Sequence, residues 1–427
     1  MMFGRLKNGA AREPDWVLIL LCAGLLFIPT LRVFLIPGED TGFLYFAANG
    51  HISLFQVLCV STLILNGRED GVLLRPGNMA LVCIALWLGV AVLTAFQATV
   101  PLHAWIKTDQ YVIHLIFALA LIPYFQSRQD VLKPLMLALI CGFAFYSLVM
   151  VIRFQGLTAL EMEQLSWNMP GFSNVRTLGF YAAVAVMIAN GLLFCRRETI
   201  PRGGQALFIL CLIWSWGLLL WTGSRGAVLS LCAAALIMVF FAKRSGYWRV
   251  LGVNLLAILL GAVAAFFVPV DHGSFGLQRF FIGTYADATV NQISSGRLEI
   301  WTEALSLWAQ QPLLGYGSGQ SRFLIEATQG VFAQPHNVVI NAIFSWGLMG
   351  GIPYLLFMAM VILKPLIALR HMDGLTLAAF GGAFVLALNA AIDGSLYHAF
   401  PLLLFTCFMS AVWAQLRIFH NAHSMTV

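Results

Sequence analysis

Residues 222–244 read TGSRGAVLSLCAAALIMVFFAKR. A short polar turn, Thr222 to Gly226, leads into a continuously apolar run that the basic pair Lys243 and Arg244 closes. The run does not alternate as a barrel strand would, so it reads as a helix. Crossing the hydrocarbon core of a membrane takes about 17–25 such residues. The pattern recurs along all 427 residues, of which 60% are hydrophobic and 10% charged, with a mean hydropathy of +0.86. A water-soluble fold cannot surface itself with so few polar groups, so the chain is expected to be an all-α polytopic membrane protein. About twelve spans are expected. Their centres fall near Leu21, Leu58, Trp87, Phe117, Ala138, Val184, Leu212, Leu231, Ala257, Phe357, Phe384 and Phe405. His51 interrupts the second, and Asp109 with His114 the fourth. Residues 1–427 are expected to form one membrane domain, with residues 270–336 as a long loop inside it.

A basic segment, Arg5 to Arg12, precedes the first apolar run, which lacks a small-residue cleavage site and so reads as a retained helix. Lys and Arg on the side of that segment outnumber those on the other by about two to one, which places both termini in the cytoplasm. The net charge of +6 is thereby mostly topogenic, and no basic face interleaved with aromatics points to nucleic acid. The eight cysteines lie in or at the ends of apolar runs without paired spacing, and read as small buried hydrophobes.

Arginines on the outer side need a reason. Arg176 lies in Asn174-Val175-Arg176-Thr177, Arg225 in the turn before the eighth span, and Arg297 follows Ser294-Ser295-Gly296. A guanidinium fork donates two parallel charge-assisted bonds and stays charged, which suits a pyrophosphate at headgroup level. The structural alternative is snorkelling to lipid headgroups or pairing with Glu161, Glu163, Glu299 or Glu303. Residues 297–310 are expected to form an amphipathic helix lying in the interface, with Leu298, Trp301, Leu305 and Trp308 on its apolar stripe. The run Gly315-Tyr316-Gly317-Ser318-Gly319 then reads as a tight turn, or alternatively a phosphate cradle, ahead of a short helix bearing Arg322.

His336, in Gln334-Pro335-His336-Asn337, is the candidate for acid–base chemistry, since imidazole titrates near neutral pH. Pro335 is expected to lead into the following helix, with Asn337 and Asn341 one turn apart beside it. His398 is the second choice. The outward acidic residues, Asp393 among them, look scattered, so no metal site and no cofactor are expected.

Taken together these stretches resemble the O-antigen ligase family of bacterial inner-membrane proteins, with its relatives the O-antigen polymerases and protein O-oligosaccharyltransferases. The residues that carry the resemblance are Ser224-Arg225-Gly226, Gly296-Arg297 with Trp301, Pro312-Leu313-Leu314-Gly315-Tyr316-Gly317, and His336-Asn337 running into Trp346-Gly347-Leu348-Met349-Gly350. It implies a metal-independent, inverting transfer of a finished glycan from undecaprenyl pyrophosphate to a sugar hydroxyl on lipid A–core, in the periplasm. Arg225 and Arg297 would hold the pyrophosphate, and His336 would activate the acceptor. Arg176 and Asn174 match a looser pattern, while Asn337 and Arg322 are further candidates for substrate binding. The chain stops shortly after its last span, which weighs against the protein-glycosylating relatives. Polymerase chemistry is the nearest alternative. A lipid-glycan transporter is the alternative of another class, although it would need charges along the helix midpoints that the spans nearly lack.

Overall fold

The computed structural model describes residues 14–35, 43–66, 73–154, 169, 171–172, 174–194, 202–242, 247–268, 276–280, 294–328 and 333–424. Every expected span centre falls inside a helix. In chain order these are α1 (Trp16–Leu35), α2 (Phe43–Leu65), α3 (Asn78–Gln97), α4 (Pro101–Ser127), α5 (Leu132–Phe154), α6 (Val175–Phe194), α7 (Arg202–Trp221), α8 (Arg225–Ala242) and α9 (Tyr247–Phe266). Then come the short α10 (Arg297–Trp308) and the long α11 (Val338–Ile367), α12 (Gly374–Ala390) and α13 (Ala399–Ser424). Among the described residues, nine helices are long and apolar enough to cross a membrane, and three shorter apolar segments lie in α1, α2 and α12.

Helices apolar on every side must meet either protein or lipid. Here α6 and α13 are buried almost all round and form the centre, whereas α9 turns Leu255, Leu259 and Phe266 outward. Lipid tails are as apolar as leucine, so close packing and polar contacts have to join the helices. Gly217 of α7 and Gly261 of α9 supply the first, their backbones so near that a Cβ on Gly261 would lie 2.6 Å from the Gly217 nitrogen. Asn190 of α6 and Asn254 of α9 supply the second: the Asn254 amide donates to Asn190 Oδ1 at 2.7 Å, and Trp216 Nε1 of α7 donates to Asn254 Oδ1 at 2.9 Å.

The segment between α9 and α11 holds α10, helical turns at Leu277–Phe280, Ser321–Leu324 and Glu326–Thr328, and the glycine run. The buried face of α10 is Ile300 and Ala304, packed with Ile325 and Phe344. Leu298 and Leu305 of the expected stripe are 40% exposed and face away from the protein, a placement that fits a helix lying against a membrane. The glycine run makes the expected turn, and two of the amides that a phosphate cradle would use are spent on protein, Tyr316 N donating to Phe344 O at 2.9 Å and Gly317 N to Ser345 O at 2.8 Å. Those carbonyls are released because α11 kinks at Gly347 (φ 57°, ψ −161°), where a side chain would strike the backbone of Leu313.

Candidate active site

Three helices begin at one place in the bundle, and each brings an arginine in its first turn. Arg225 opens α8, Arg297 opens α10, and Arg176 is the second residue of α6. A cation there opposes the helix macrodipole, at about 0.3–1 kcal/mol each, so folding alone does not favour the arrangement. Asn174 caps α6, its Oδ1 accepting from Thr177 N at 3.0 Å. The turn between α7 and α8 is held open by Gly223 (φ 61°), and a Cβ there would crowd Arg279 and Gly276. This brings Arg279 into the group. Arg225 Nη2 and Arg279 Nη2 both donate to Ser295 Oγ, at 3.2 and 3.5 Å.

The carboxylate facing these cations is Asp393, in the loop between α12 and α13. It is 2% exposed, with Arg297 Nη2 at 2.9 Å and His336 Nδ1 at 3.2 Å, both on Oδ1. Burial pushes the Asp393 carboxyl up, but Arg297, then the His336 hydrogen bond and Arg176, hold it well below the usual carboxylate range. Arg176 sits within electrostatic reach of Asp393, Arg297 and Arg225. Burial, reinforced by Arg176 and Arg225, lowers Arg279 to about 9. Among the described residues, four guanidinium groups thus gather about one carboxylate, an arrangement whose chemistry suits an anion. Among the described residues no three His, Cys, Asp or Glu side chains converge to hold a metal.

His336 is 5% exposed and adopts φ 57°, a left-handed conformation that non-glycine residues rarely take. Several contacts fix it there. Trp301 Nε1 of α10 donates to Pro335 O at 2.7 Å, and Gln334 Nε2 donates to Gly394 O at 3.0 Å. Gly394 (φ 67°) is required at that point, because a Cβ would run into the Gln334 amide. His336 Nδ1 lies 3.4 Å from the Asp393 carbonyl oxygen as well as 3.2 Å from Oδ1, two acceptors that favour the tautomer with its proton on Nδ1 and leave Nε2 as the basic nitrogen of the ring.

The structure divides the expected site residues. Arg176, Arg225, Arg297 and His336 come together. Asn337 is the N-cap of α11, accepting from Val339 N at 2.9 Å and Ile340 N at 3.1 Å, so the leading position expected of Pro335 belongs to Asn337. The side chains of Asn174 and Asn337 are thereby engaged in capping rather than turned to a ligand. Arg322 lies apart, over the Phe323 ring and near His103 and Lys107. His398 stands beside Gln334, with Nε2 3.5 Å from Gln334 Nε2. Asp393, taken as scattered from the sequence, is corrected to the centre of the site. Arg279, Ser295 and the buried Asn389 near Gly226 also gain a place. One sequence signal pointed this way, arginine at the starts of helices; nothing local marked Asp393.

Two comparisons with known proteins bear on this arrangement. Residues 208–355 match the O-antigen ligase family model. An O-antigen ligase of Pseudomonas aeruginosa is 27% identical over 134 residues, which are 31% of this chain and 28% of that protein. The matched family stretch contains Arg225, Arg279, Arg297 and His336, while Arg176 and Asp393 lie outside it. Over residues 208–355 the chain is thus similar to the O-antigen ligase family.

Proposed function

We propose that the protein is a glycosyltransferase that moves a finished glycan from undecaprenyl pyrophosphate to a sugar hydroxyl of lipid A–core, at the periplasmic face of the bacterial inner membrane. The observation that carries this reading is His336 set on Asp393 beside Arg297, with Arg176, Arg225 and Arg279 gathered about them. His336 Nε2 takes the proton of the acceptor hydroxyl, and Asp393 stabilises the imidazolium that forms. The acceptor oxygen attacks the anomeric carbon, the bond from that carbon to the pyrophosphate oxygen breaks, and its electron pair leaves on the pyrophosphate. Arg225, Arg279 and Arg297, with Arg176 behind them, neutralise that charge in a site shielded from water. A single displacement inverts the anomeric carbon. In this scheme the arginines take the role a divalent cation has in other transferases.

The test is transfer by purified protein from undecaprenyl-pyrophosphate-linked glycan to lipid A–core, with a chelator present. Wild type should form product, and His336→Ala should lose on the order of 10²–10⁴ in rate per folded molecule. Wild-type turnover in the variant would remove His336 from the chemistry. Elongation of the lipid-linked glycan itself, with no transfer to lipid A–core, would make the protein a polymerase.

A further inference from the structure

The end of the bundle opposite His336 contains a second feature, independent of the reading above. A cavity of about 380 Å³ lies between α3, α4, α11 and α13. Its mouth is set by Asn78 at the start of α3, Lys364 near the end of α11 and Arg417 near the end of α13. Its inner end reaches Trp87 and Tyr354, whose ring centroids are 4.9 Å apart. The part of α11 from Tyr354 to Lys364 rises about 15 Å, half of a hydrocarbon core of about 30 Å. The cavity is therefore as deep as one leaflet.

Several details mark it as a built site. Pro123 has no N–H with which to bond the Leu119 carbonyl inside α4. Leu74 N takes that carbonyl instead, at 2.9 Å, and pins the loop that forms the lip. At the mouth, Lys364 and Arg417 are exposed, neither is in an ion pair among the described residues, and Lys364 Nζ lies 5.9 Å from the Trp413 ring centroid. Two cations over an apolar slot of one-leaflet depth fit a phosphate carrying an acyl chain.

We propose that this cavity binds an anionic phospholipid, its phosphate held by Lys364 and Arg417 and one acyl chain lying inward toward Trp87 and Tyr354. The test uses native mass spectrometry of the full chain in detergent with equal amounts of phosphatidylglycerol and phosphatidylcholine, alongside thermal unfolding. Wild type should retain phosphatidylglycerol several-fold over phosphatidylcholine, and its midpoint should rise with phosphatidylglycerol alone. The double variant Lys364→Gln, Arg417→Gln should lose that preference. Ala118→Phe, which fills the slot, should lower retention of both lipids. Equal retention in wild type, or an undiminished preference in the double variant, would overturn the site and leave annular lipid only. Should Ala118→Phe fail to fold, the double variant decides, because both of its positions are exposed.

Discussion

Arg297 and Lys107 are both cations drawn out of water at the same end of the bundle, yet their surroundings differ. Lys107, 4% exposed in α4, donates to Tyr397 O at 2.6 Å and to Gln110 Oε1 at 2.8 Å, and its ammonium lies 3.6 Å from the Tyr397 ring centroid. Its hydrogens are spent on the protein. Arg297 instead shares Asp393 with His336, in the company of Arg176, Arg225 and Arg279. A buried cation whose donors are all satisfied braces a fold, whereas cations that outnumber their counter-charge are held for a ligand. Lys107 lies in the second turn of α4, away from the midpoint of that helix. Its attachment to Tyr397 gives it a bracing role, because it steadies the loop that carries Asp393.

Asp393→Asn should disturb this contrast most, since it keeps the shape and removes the carboxylate that, among the described residues, is set against those four arginines. Transfer should fall by about a hundredfold or more, and stability by about 3–5 kcal/mol, as befits breaking a buried pair. The pH dependence provides an independent check. Because the Asp393 carboxyl is held below its ordinary value, its contribution is complete above an unfolded pKa of about 3.9 and is lost as pH falls below that toward the folded value. The thermal midpoint of wild type should therefore drop more steeply below about pH 4 than that of Asp393→Asn. Parallel curves would show that Asp393 is not held by its neighbours.

Arg225→Lys comes next. The charge survives and the fork does not, so transfer should fall by about tenfold with little change in midpoint; full activity would demote Arg225 to a lipid anchor. Lys107→Met should have the smallest effect on chemistry. It strands Tyr397 O and Gln110 Oε1 at about 1–3 kcal/mol each, so the midpoint should fall while transfer per folded molecule changes less than about tenfold. A hundredfold loss at an unchanged midpoint would erase the distinction between the two cations and make Lys107 a ligand-binding group.

Much of this was legible in the chain because the membrane imposes simple rules. Continuous apolar runs must be helices, since lipid offers no partner to an open backbone. That reasoning located each helical span, and charge type alone singled out Arg176, Arg225, Arg297 and His336. Asp393 was not legible. One carboxylate among several outward acids becomes distinct only when the loop after α12 meets the segment before α11, 57 positions away in sequence. The capping roles of Asn174 and Asn337 were not legible for a related reason, because a capping amide and a ligand-binding amide look alike until the helix start is known. The glycine run, read as a turn with a cradle as the alternative, was decided only by the kink at Gly347, which frees the carbonyls that take its Tyr316 and Gly317 amides.

The sequence by itself determined that the chain is helical, that it belongs in a membrane, and which side chains could grip an anion or move a proton, because hydrophobicity, charge and side-chain chemistry are properties of residues. Only the tertiary structure decided which of these residues meet. It set His336 on Asp393 among four arginines, and left Arg322 and Lys107 to other partners. Those encounters depend on helix packing and loop register across long sequence separations, which no local pattern encodes.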